Sequence, residues 1–262
     1  MRPRLAICKT LLIAGFAILL ATILLPNSQL FGGNVYPPSG GGGGSTPTPT
    51  ATPTMTIPAA ISTAGNVLTE SNFTSAPSYT THDMIACCIQ QSSGSGKEFQ
   101  ENGWEFSKTA QSWNSGISWI NLGLHCVQPT EPSTWTFAAL TNDRSTGLAC
   151  DVVRNTGCGQ DVSGASNVAS GTTMTYPSIT TTVANDMLIY CEAAGVTSAS
   201  TTFTFPGSVT SDVNSAGVSG TQAQFSIGHV LAGSPTAQPT PAGTLSSSQN
   251  YGALVGAIAP LH

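Results

Sequence analysis

Trp104, Trp113 and Trp119 lie close together in the sequence, with Glu98, Glu101 and Glu105 around the first of them. An exposed aromatic face is a platform for a sugar ring, and an amide beside it gives directional hydrogen bonds. Trp113 sits in the polar stretch Gln111-Ser112-Trp113-Asn114-Ser115, with no apolar neighbours at strand spacing. Trp113, Asn114 and Trp104 are therefore the expected ligand-contacting residues. Trp119 alternates with Ile117 and is expected in the core. Acids beside an aromatic would also suit glycoside hydrolysis, but solvated acids around a core-packed Trp are the commoner arrangement. Gly217-Val218-Ser219-Gly220 is not the Gly-x-Ser-x-Gly of a nucleophile elbow, and Gly94-Ser95-Gly96-Lys97 lacks the spacing of a phosphate loop. No catalytic residue is assigned, no cofactor is expected, and the chain is read as non-enzymatic.

Seven cysteines are present, six of them beyond residue 33. An even number in an exported domain reads as disulfide-bonded. Cys150 and Cys158 bracket a local loop containing Asn155 and Gly157 and are the expected single pair. Cys88 and Cys191 align in a repeat described below and read as small apolar core residues. The adjacent Cys87-Cys88 and the His125-Cys126 pair lack zinc-ligand spacing. Asp143, Asp151 and Asp161 lack a calcium-loop pattern and are read as solvated loop acids, so no metal site is assigned. His82, His125 and His229 receive no role.

These residues need a frame, and the sequence shows one. Asp83-Met84-Ile85-Ala86-Cys87-Cys88-Ile89 has a near copy in Asp186-Met187-Leu188-Ile189-Tyr190-Cys191-Glu192. Pro77-Ser78-Tyr79-Thr80-Thr81 leads into the first, and Pro177-Ser178-Ile179-Thr180-Thr181 into the second. Short apolar runs opened by an acidic turn residue read as buried strands. The pairing extends to Asn102-Gly103-Trp104 with Pro206-Gly207-Ser208, to Ser118–Leu122 with Gln224–Gly228, and to Ser133–Phe137 with Asn250–Leu254. Strands are expected over 65–68, 83–90, 103–108, 116–127, 133–140, 148–153, 178–183, 186–193, 201–205, 223–231 and 251–258, separated by Gly, Pro, Asn and Ser. Each half alone offers too few strands to close a core. The reading is one all-β domain over 57–262, a β-sandwich of two pseudo-repeated halves.

Arg2, Arg4 and Lys9 precede an apolar run from Leu11 to Leu25 closed by Pro26. That is the pattern of a signal peptide or a membrane anchor over 1–33, expected as a hydrophobic helix. The absence of a small-residue cleavage pair after Pro26 favours the anchor. Residues 34–56 form a Gly- and Thr/Pro-rich linker whose alternating prolines hold an extended stalk. Charged residues make up only 7% of the chain, against about a quarter in ordinary globular proteins. Beyond the N-terminal segment, four basic residues face twelve acidic ones. That balance excludes nucleic acid as a partner, because a polyanion needs clustered Lys and Arg.

The run Ile179-Thr180-Thr181-Thr182 into Asn185–Ile189, the Gly103-Trp104 turn and the ending Ala253–Ile258 resemble a family of uncharacterised bacterial and phage jelly-roll domains. These are similar to concanavalin-like lectin sandwiches and occur in surface and tail-fibre-like proteins. The resemblance covers about residues 57–260. It implies a jelly-roll-like sandwich and surface display. The chain departs from that pattern in its many cysteines and in Pro206-Gly207-Ser208, which lacks a Trp. The expectation is a membrane-anchored or secreted binding or adhesion module, with extracellular glycans or a surface polymer as the partner class. The alternatives are a structural module of a surface layer or phage tail, and a glycan-degrading enzyme.

Overall fold

The computed structural model of the protein describes residues 53–65, 67–70, 79–92, 103–113, 118–131, 135–138, 145–195, 201–215 and 223–261. The chain divides into Met1–Thr48 and Pro49–His262. The expected N-terminal helix and most of the stalk lie outside the described residues. Among the described residues there is no helix, and none long and apolar enough to cross a membrane.

Thirteen strands are described: β1 (Thr56–Gly65), β2 (Val67–Glu70), β3 (Met84–Ser92), β4 (Glu105–Trp113), β5 (Ser118–Cys126), β6 (Trp135–Ala138), β7 (Ser145–Arg154), β8 (Thr156–Thr175), β9 (Met187–Gly195), β10 (Phe203–Thr204), β11 (Thr210–Ser215), β12 (Ala223–Leu231) and β13 (Ala242–Pro260). All paired strands run antiparallel. The first sheet has the order β1-β7-β3-β5-β4. In the second, β13-β9-β12-β11 is flanked by β8 along β13, while β10 pairs with the start of β13. Strands β2 and β6 form a separate two-stranded ribbon.

Each half of the chain thus builds one sheet. Reading β8-β13-β9-β12-β11 against β1-β7-β3-β5-β4 matches the strands one for one, in chain order and in sheet order. β3 and β9 are the central pair, as the repeated motif predicts. β5 matches β12, and the Gly103 and Gly207 turns precede the matched strands β4 and β11. One expected match fails. Trp135–Phe137 lies in the β6 ribbon, and β7 is the counterpart of β13. The repeat reaches the turns as well, since His82 (φ 76°) and Asn185 (φ 63°) both hold the left-handed conformation directly before Asp83 and Asp186.

The halves meet through one face of each central strand. Met84, Ala86 and Cys88 of β3 join Met187, Ile189 and Cys191 of β9, with Ile120, Leu122, Phe225, Ile227 and Leu254 from the flanking strands. Each such Leu, Ile or Phe stabilises the fold by about 1.5–3 kcal/mol. Because side chains alternate, the other faces carry cores of their own. Ile85, Cys87 and Ile89 pack with Trp104, Val127, Leu148 and Val152. Leu188 and Tyr190 pack under Tyr176, Phe203, Phe205 and Tyr251. Tyr176 meets Tyr190 edge-on at 5.0 Å and Phe203 meets Phe205 at 4.7 Å, the geometry aromatic quadrupoles favour. Strands β3 and β9 are buried on both faces, which is why they read as unbroken apolar runs rather than alternating ones.

Several strand expectations are corrected, and β1 and β11 lie where no strand is expected. Residues 178–183 form no strand beyond an isolated bridge from Thr180 to Ala237; Thr182 instead donates its amide and hydroxyl to Asp161. No strand is expected between 153 and 178, yet Thr156–Thr175 form the twenty-residue β8, which lies along most of β13.

The expected Cys150–Cys158 disulfide is also corrected. Cys150 bonds to Cys87, and Cys158 bonds to Cys126. Cys150 stands mid-strand directly opposite Cys87 in the β3–β7 ladder. The chain runs on to Arg154, turns at Asn155 (φ 63°) and enters β8 of the other sheet. Four residues of strand at about 3.3 Å each carry Cys158 out of reach of Cys150 and bring it to the end of β5. Cys87–Cys150 therefore ties two neighbours of one sheet, whereas Cys126–Cys158 ties one sheet to the other. Cys88 and Cys191 are free and buried, as small core residues.

Candidate functional site

Trp104 follows Gly103, whose positive φ of 83° suits glycine. The indole is 8% exposed and stacks on the His125 ring at 5.2 Å and 27°. That ring face is occupied from within the protein. Trp113 closes β4, but its side chain, and Asn114 altogether, lie outside the described residues. Trp119 is only half-buried, because Ile120, Leu122 and Leu124 are the β5 residues that face the opposing sheet. Glu105 is exposed at the start of β4, while Glu98 and Glu101 lie outside the described residues.

His125, given no role by the sequence, organises one end of the first sheet. Its Nδ1 lies 2.8 Å from the Gly103 carbonyl, and its Nε2 lies 3.0 and 3.1 Å from the two Glu131 oxygens. A carbonyl and a carboxylate only accept, so whichever ring nitrogen carries the hydrogen donates to its partner. Glu131 also receives the Gln128 amide. Beside this clasp opens a cleft of about 260 Å³. Met84 and Leu124 supply its apolar surface, Glu105, His125 and Gln128 its polar groups, and the Cys126–Cys158 disulfide lies against it.

A second constellation lies where β7 of the first sheet meets β11 and β12 of the second. Asp151 is fully buried on the face of β7 that also carries Ala149 and Val153 into the shared core. It is not a solvated loop acid, as expected from sequence. Asp212 is the extra residue of a bulge between Ser211 and Val213 in the β11–β12 ladder. Bulges re-aim side chains in this way. His229, directly opposite Thr210 on β12, places Nδ1 2.7 Å from Asp212 Oδ2. One ligand atom from each of Asp151, Asp212 and His229 lies within 4.8 Å of the others. Burial, and then the neighbouring Asp212 carboxylate, push the Asp151 carboxyl well above the usual range.

Two further acids share that condition. Glu192 is buried on the outer face of β9 and pushed up to about 8 by burial, with the neighbouring Ser226 hydroxyl acting in the opposite direction. Asp186 is pushed up to about 7 by burial and by Asp161. Asp161 itself is held low: burial opposes its charge, but hydrogen bonds from Thr182 outweigh that. The signal for Asp151 and Glu192 was present in the sequence, since each interrupts an apolar strand run. Asp212 had none, because its bulge is a property of the pairing.

No protein-family model matches the chain, and no match is found among curated proteins or solved structures.

Proposed function

We propose that the protein is a non-catalytic binding module, displayed outside the cell on its stalk, with glycans or a related surface polymer as its ligand class. The observation that carries this reading is the cleft beside His125. An apolar floor with a few convergent polar groups is the usual make-up of a small-ligand site, and a volume of about 260 Å³ suits one sugar-sized group. Strands and a disulfide, rather than a long loop, hold its walls, so binding costs little ordering. Two disulfides and a surface poor in charge fit an oxidising, extracellular setting. The two-layer all-β architecture fits the jelly-roll, lectin-like resemblance. The apolar run at Leu11–Leu25 supplies export and, uncleaved, a membrane anchor. Trp113 and Asn114 remain the proposed second contact for an extended ligand.

A glycan array probed with the exported protein tests this reading. Binding to a defined subset, weakened at least tenfold by Glu105→Ala with Gln128→Ala, is the expected result. Uniformly flat signals from correctly disulfide-bonded protein would instead favour a structural module of a surface layer or phage tail.

A further inference from the structure

We propose that Asp151, Asp212 and His229 form a binding site for one divalent transition-metal cation of the zinc type, held between the two sheets. The first argument is the state of Asp151. Neither carboxylate oxygen is exposed, and among the described residues neither has a hydrogen-bond donor in reach. A second carboxylate, Asp212 of the opposing sheet, acts on Asp151, and its own partner is His229. Two carboxylates and one imidazole converging in an apolar interior need positive charge there, because an uncompensated buried carboxylate is costly. A cation coordinated by all three satisfies them together.

The second argument is the donor set. Two carboxylate oxygens and one imidazole nitrogen, within 4.8 Å of one another, are the number and kind that hold zinc while leaving a position open. Calcium asks for about six to eight oxygens and is poorly served. The 2.7 Å contact between His229 and Asp212 has to open by about half an ångström for both atoms to ligate one ion at ~2.0 Å. Asp212 lies on the edge strand β11 and His229 near the end of the neighbouring β12, and both are only partly buried, so they can make that adjustment and admit the ion.

The third argument comes from the internal repeat. His229 lies opposite Ile189, whose counterpart in the first half, Ala86, lies opposite Leu124. Asp151 lies opposite Ala86, whose counterpart Ile189 lies opposite Gly256. At the related position the chain therefore carries Leu124 and Gly256. The fold does not need acids and a histidine at this junction, and only one of its two equivalent junctions has them.

The test uses full-chain protein stripped with a chelator and titrated calorimetrically with Zn²⁺ alone, then loaded with Co²⁺ for its visible absorption. One ion per chain is expected, with the d–d bands of a low-coordinate nitrogen and oxygen site. Affinity should fall at least tenfold in His229→Ala and in Asp212→Asn, and zinc should raise the melting temperature of the wild type only. Asp151→Asn should abolish binding. If that buried variant does not fold, the variants at the two partly buried positions decide. Absence of binding by the stripped wild type would overturn the proposal, as would wild-type affinity in His229→Ala and Asp212→Asn.

Discussion

Cys88 and Cys191 occupy the same position in the two halves, and their thiols approach one another as an unbonded pair in the core between the sheets. The Cys88 thiol also points toward the Glu192 carbonyl at 3.8 Å. Burial, and then the Cys88 thiol, push the Cys191 thiol well above its ordinary range. The thiolate is the reactive form. Both residues should therefore resist alkylation in the native protein and label once it is unfolded without reductant. Peptide mass spectrometry after iodoacetamide checks this; rapid native labelling at either site would contradict the packing.

Glu192 and Asp186 contribute to the pH dependence of stability. Both carboxyls have folded values raised above their unfolded ones, to about 8 and about 7. The folded state then holds more protons than the unfolded state between about pH 4 and pH 8, so stability falls as pH rises through that window. Below it the contribution is fully present. Melting temperatures should be highest near pH 4.5 and decline toward pH 8. Glu192→Gln should flatten part of that slope and make the protein more stable than wild type at pH 8. An unchanged slope in the variant would show that the glutamate is solvated.

Gly147 of β7 faces Phe225 of β12 across the interior. A Cβ at residue 147 would lie 2.3 Å from two Phe225 ring carbons, a distance that forces the aromatic ring or the sheets to move. Gly147→Ala should destabilise by about 1–3 kcal/mol, as overpacking does. Phe225→Leu should recover part of that loss in the double variant, since neighbours couple. Additive effects in chemical denaturation would mean that the two residues do not touch.

The His125 clasp makes a distinct prediction. Replacing Glu131 by Ala leaves a buried ring nitrogen and the Gln128 amide without their acceptor. The expected cost is about 1–3 kcal/mol, with a shift of Trp104 fluorescence because the indole lies on that ring. Glu131→Gln, which keeps an acceptor oxygen, should lose less. Equal effects of the two substitutions would assign Glu131 a packing role only.

The central strands were legible because burial on both faces leaves a continuous apolar run, whereas Ala223–Leu231 was legible from alternation, with Phe225 and Ile227 set between Gln224, Ser226 and Gly228. The repeat was legible for the same reason, through Asp83–Ile89 and Asp186–Glu192. β8 was not. Its Gly, Ser and Thr residues bring little apolar alternation, and the strand is positioned by backbone hydrogen bonds to β13, whose side chains fill the core. The cysteine pairing was hidden because proximity along the chain suggested Cys150 with Cys158, while the turn at Asn155 sends them to different sheets. The candidate metal ligands come from three strands, one of them bulged, and no spacing in the sequence records that meeting.

The central structural claim is that the two halves of the chain form opposing layers stapled where β5 meets β8. Non-reducing peptide mapping of the folded protein tests it most directly. The predicted result is a Cys126–Cys158 peptide linking the halves, a Cys87–Cys150 peptide within the first, and Cys88 and Cys191 as free thiols. A Cys150–Cys158 peptide, or Cys88 bonded to Cys191, would contradict the account.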